Sequence, residues 1–74
     1  MVDFKMTKDG LILYIQDYTD IYTVLQGIDE KVKSMRSFFA QGDKIMLLVE
    51  EHEKHISDIP KIVSRVQELG LTIS

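Results

Sequence analysis

The sequence predicts a small α/β fold of order ββαβαβ, a four-stranded mixed sheet with two helices packed on one face. Three observations carry this: an alternating N-terminal segment joined by an Asp-Gly turn to an apolar run, a switch to helical spacing from Ile21, and a second apolar run followed by a second helical stripe. The 74 residues suffice for one domain spanning 1–74, since a chain this short buries only about 60% of its unfolded surface. Apolar residues make up 45% and charged residues 28%, a globular balance and not a disordered one.

Val2, Phe4 and Met6 alternate with Asp3, Lys5 and Thr7, the period of a half-buried strand at a sheet edge. Lys8-Asp9-Gly10 follows, and Asp-Gly between two strand-like runs signals a hairpin because Gly accepts the positive φ such turns demand. Leu11-Ile12-Leu13-Tyr14-Ile15 then pairs antiparallel with the first strand and, being apolar on both faces, lies inside the sheet. Ile21, Val24, Leu25, Ile28, Val32 and Met35 form one stripe of a helix capped by Thr19 or Asp20 and ending near Ser37. Gly27 inside it costs about 1 kcal/mol against Ala, and implies either close backbone approach or simple tolerance.

Gln41-Gly42-Asp43 breaks the chain before Ile45-Met46-Leu47-Leu48-Val49, a second interior strand. Ser57-Asp58-Ile59-Pro60 carries two capping residues and a Pro at a tolerated position, so a second helix starts there. Its stripe is Ile59, Ile62, Val63, Val66 and Leu69; Gly70 stands at the C-terminal cap, and Leu71 to Ser74 alternate as a last strand. Right-handed crossovers running the same way put both helices on one face of the sheet and leave the other uncovered. That open face carries Leu11, Leu13 and Ile15 or Ile12 and Tyr14, with Ile45, Leu47 and Val49 or Met46 and Leu48. Either choice is apolar, and a patch of this kind marks an interface. The set Ile12, Tyr14, Met46 and Leu48 is the candidate self-association face, with a homodimer as one outcome.

Composition also excludes functions. A net charge of −3 lacks the basic footprint of a nucleic-acid binder. No apolar run exceeds five residues and the N-terminus does not read as a signal peptide, so a cytoplasmic protein without direct membrane binding is expected. With no Cys there are neither disulfides nor thiolate metal sites.

The segment from Glu50 to His55 has metal-competent side chains in His52, His55, Glu50, Glu51 and Glu53. It lacks an HExxH pattern or a second source of ligands, and reads as a solvated loop. The serines sit in no nucleophile elbow and no Gly-rich phosphate loop is present. Two helices on one sheet face leave little room for a pocket of roughly 300 Å3, so no catalytic residue, cofactor or metal is assigned and no enzymatic activity is expected. Ser57 reads as a helix cap before it reads as a phosphorylation switch. Lys5 and Lys8, beside the hairpin, fit either an acidic partner or the gatekeeper role of edge-strand lysines.

Val2-Asp3-Phe4-Lys5-Met6-Thr7-Lys8-Asp9-Gly10-Leu11, Phe38-Phe39-Ala40-Gln41-Gly42-Asp43 and His55-Ile56-Ser57-Asp58-Ile59-Pro60-Lys61-Ile62-Val63 together resemble the N-terminal domain of the bacterial septum site-determining MinC family. The resemblance covers essentially the whole chain. It implies a cell-division inhibitor that binds the tubulin-like protein FtsZ and antagonises its assembly into a division septum. Lys5, Lys8 and Gly10 match family positions associated with the FtsZ-facing surface, while Met6 stands where the family usually has Gly. The resemblance also implies that MinD is met only through a C-terminal β-helical domain absent from these 74 residues. A different class, the phosphorylation-switched anti-sigma-factor antagonists, partly resembles this fold and would use Ser57, but Ser57-Asp58-Ile59-Pro60 lacks their Asp-Ser-Ser-Gly type pattern.

Overall fold

The structure, a computed structural model, describes residues 1–8, 10–40, 42–49 and 53–73, and of 53–55 the backbone only. Its elements are β1 (Val2–Thr7), β2 (Gly10–Ile15), α1 (Ile21–Ser34), β3 (Lys44–Val49), α2 (Ile59–Glu68) and β4 (Thr72–Ile73), with 3-10 segments at Arg36–Phe38 and Glu53–Asp58. The sheet order is β1-β2-β3-β4. β1 pairs antiparallel with β2, while β2–β3 and β3–β4 are parallel, each pair spanning a helical crossover. This is the ββαβαβ mixed sheet that the periodicities predict.

The register decides which strand face meets the helices. Phe4 lies opposite Leu13, Leu13 opposite Leu47, and Leu11 opposite Ile45, so the alternation of β1 is transmitted across the sheet. Leu13, Ile15 and Ile45 are buried together with Val24, Ile28 and Val32 of α1 and Ile62 and Val66 of α2, which places both helices on that face. No polar or charged residue is buried as a whole among the described residues. Phe4 and Phe39 close the core at one end, their ring centroids 5.5 Å apart.

Helix ends depart from expectation in instructive ways. Asp20, not Thr19, caps α1, its Oδ1 accepting from the Tyr22 N–H at 3.0 Å. The helix stops at Ser34 and the chain tightens into the 3-10 turn Arg36–Phe38, so the stripe residue Met35 is the C-cap and not helix interior. At α2 neither predicted cap works as one. Ser57 lies in the 3-10 segment, and Asp58 occupies the N-cap position with helical backbone and no capping bond. Its Oδ2 accepts instead from the Tyr18 hydroxyl at 3.0 Å, tying the β2–α1 connection to the start of α2. Ile59, predicted for the buried stripe, is 38% exposed because it sits at this unpaired first turn.

The C-terminus of α2 follows the sequence signal. Gly70 has φ +90°, the Leu71 N–H donates to Val66 O and the Gly70 N–H to Gln67 O. These are the two bonds of a Schellman cap. Leu71 is thereby buried and the chain enters β4, held by the Thr72 N–H to Asp43 O at 2.8 Å. Gly27 reflects close approach: a Cβ there would meet Val2 Cγ2 at 3.3 Å.

Candidate functional site

The face turned away from the helices is built from the alternate residues of each strand. Lys5 stands opposite Ile12 and Ile12 opposite Met46; one step along, Asp3 stands opposite Tyr14 and Tyr14 opposite Leu48. The four residues predicted as an apolar interface, Ile12, Tyr14, Met46 and Leu48, therefore form a contiguous two-by-two patch on adjacent central strands. Met46 and Leu48 are 45% and 46% exposed, whereas their helix-facing neighbour Ile45 is 1% exposed. Central strands this apolar on an uncovered face leave water in contact with large side chains, which costs about 25 cal/mol for each Å2 left unburied.

The hairpin borders this patch. Thr7 pairs with Gly10, so Lys8 lies in the turn between the strands, and Gly10 takes φ +127° with nothing within 4 Å of its would-be Cβ. Glycine is needed there for backbone conformation and not for space. Lys5 Nζ lies 5.1 Å from the Tyr14 ring centroid, within cation–π range. Lys5, Lys8 and Gly10, assigned separately from the apolar set, thus adjoin it in one surface.

Lys44 is the residue sequence reasoning passed over. It begins β3, two residues before Met46, shares that residue's face, and pairs with Thr72. The alternation Lys44, Met46, Leu48 was the available signal.

Elsewhere the arrangement offers less chemistry. A cleft of about 570 Å3 lies between the start of β1 and α1, lined by Val2, Tyr18, Asp20, Gly27, Glu30 and Lys31 among others. This exceeds the room expected, because it opens at the sheet edge beside α1 and not between the helices; no predicted site residue lines it. Asp29 and Arg65 join α1 to α2 at 2.5 Å, with Asp29 Oδ1 buried and unpartnered among the described residues. Glu50, Glu51 and His52, and the side chains of Glu53 and His55, lie outside the described residues. Among the described residues no group of three metal-ligating side chains gathers, and no helix is long and apolar enough to cross a membrane. Ser57 is exposed in its 3-10 segment.

The fold and this surface define a small mixed-sheet α/β module with helices on one face and an apolar, lysine-edged open sheet on the other. Residues 2–73 match the family described as septum formation inhibitor MinC, N-terminal domain, and the chain belongs to that family. It is 58% identical over all 74 residues to the probable septum site-determining protein MinC of Thermotoga neapolitana, and 53% identical over the same span to that of Thermotoga maritima. A more distant relative, from Thermosipho melanesiensis, is 35% identical over 71 residues, 96% of this chain and 36% of its own length. In both Thermotoga relatives the matched region is 35% of the protein, so the chain spans about a third of their length. The phosphorylation-switch reading built on Ser57 is not favoured by this membership.

Proposed function

We propose that this chain is a non-enzymatic division-inhibiting module that binds FtsZ and opposes its polymerisation into a septum. Its contact surface in this reading is the hairpin residues Lys5, Lys8 and Gly10 together with the open sheet face. The observation that carries the reading is the strand register: it sets the hairpin lysine Lys5 directly beside Ile12 and over Tyr14, in a chain of the septum-inhibitor family. Interfaces draw most of their energy from a central apolar and aromatic cluster, with charged residues at the rim steering encounter. Tyr14 with Ile12, Met46 and Leu48 supplies the first and the lysines the second. Contacts of the longer relatives with MinD belong, in the same reading, to the two thirds of their length beyond this match.

Sedimentation of FtsZ polymers tests it. The wild-type chain lowers the pelleted fraction, and Lys5→Glu and Lys8→Glu each weaken that effect severalfold while leaving the far-UV spectrum unchanged. Full pelleting in the presence of the wild-type chain would remove the function; undiminished inhibition by both variants would remove the hairpin from the site.

A further inference from the structure

We infer that the open sheet face is an acceptor for an acidic, apolar-bearing protein surface, docked in one orientation with its carboxylates over the hairpin end, and that Lys44 is a third specificity residue there. The inference rests on the proposed FtsZ-binding reading and deepens it by naming the partner's chemistry. Three lysines mark one end of this face: Lys5 on β1, Lys8 in the turn and Lys44 at the start of β3, where Lys44 pairs with Thr72 and the next residue, Ile45, pairs with Leu11 of β2. All three are exposed. Among the described residues none of them has a carboxylate within ion-pair distance.

Two described carboxylates close to them in sequence are engaged elsewhere. Asp43, adjacent to Lys44 but of opposite strand parity, accepts the Ala40 N–H at 2.8 Å. Asp3, at the far end of the face, stands 4.0 Å from Lys31 of α1. A chain whose formal charge is −3 thus carries, at one end of the sheet face it leaves apolar, three exposed lysines that have no ion-pair partner among the described residues. Charge separated in this way orients a partner and speeds encounter more than it adds affinity. A second copy is a poorer occupant: two such faces stacked in parallel oppose lysine to lysine, and stacked antiparallel they set three lysines against Asp3, the one carboxylate of this face among the described residues and already close to Lys31.

Two amphipathic helical peptides of equal leucine content, one with glutamate and one with lysine on its polar positions, provide a probe independent of FtsZ. Chain titrated with the glutamate peptide is expected to shift the NMR signals of Ile12, Tyr14, Met46 and Leu48, with affinity falling at least tenfold for the lysine peptide. Lys44→Glu is expected to narrow that preference about three- to tenfold, and Lys33→Glu on α1 to leave it unchanged. Equal binding of both peptides, shifts confined to the helices, or dimerisation through this face in sedimentation velocity would overturn the inference whatever FtsZ does.

A parallel FtsZ pull-down separates the two claims. Absence of FtsZ binding by the wild-type chain removes the proposed function, and the peptides still decide the face. FtsZ binding that weakens with Lys5→Glu but not with Lys44→Glu overturns the role given to Lys44. Urea midpoints for each variant keep a loss of folding from being read as a loss of contact.

Discussion

Leu13 and Leu48 are the same residue type on adjacent strands, and the sheet gives them opposite fates. Leu13 is 0% exposed beneath both helices, so Leu13→Ala removes buried methyl groups and leaves a cavity, at a cost of about 2–5 kcal/mol. Leu48→Ala on the open face costs less than about 1 kcal/mol. Urea denaturation of the two variants reads the difference directly, and equal losses would mean that the open face is covered. Gly27 gives a subtler test. Gly27→Ala gains helix propensity of roughly 1 kcal/mol, but its Cβ presses on Val2 Cγ2 at 3.3 Å; the expected net change is therefore small, and the full gain appears only in a Val2→Ala background. Additive effects of the two substitutions would contradict the contact.

Strands were easier to read from the sequence than helix ends. The alternation of Val2 to Thr7 and the Asp-Gly turn specify a register, because side chains repeat every two residues and a slip would turn Phe4 out of the core. Carrying that register from β1 into β2 also settles which face is open: Lys5 opposite Ile12 puts Ile12 and Tyr14 on the polar side. The apolar run of β2, taken alone, left both faces equivalent. Helix starts depend on which partner claims a short polar side chain, and this is a tertiary matter. Asp58 has the composition of a cap, yet its carboxylate holds the Tyr18 hydroxyl across 40 positions of sequence. Tyr18→Phe removes that bond, and is expected to lower stability by about 1 kcal/mol and to speed amide exchange in the first turn of α2. Unchanged exchange there would mean that the hydroxyl does not anchor the helix start.

The whole molecule divides its charge and its apolar surface between two sides of one sheet. Eleven apolar residues form the buried cluster on the helix side, which is how a chain without cysteine holds together. The other side keeps Ile12, Tyr14, Met46 and Leu48 toward solvent beside Lys5 and Lys44. Family and fold were legible in the sequence because they reside in the order and length of the pattern. The union of hairpin and sheet face into one surface was not, because it arises only when three strands are in register. The central claim is that this surface is where FtsZ binds. Methyl NMR of the isotopically labelled chain with unlabelled FtsZ tests it most directly: the account predicts broadening and shifts at Ile12, Met46 and Leu48 with Ile28 and Ile62 unmoved, whereas changes confined to α1, α2 or the cleft beside β1 would contradict it.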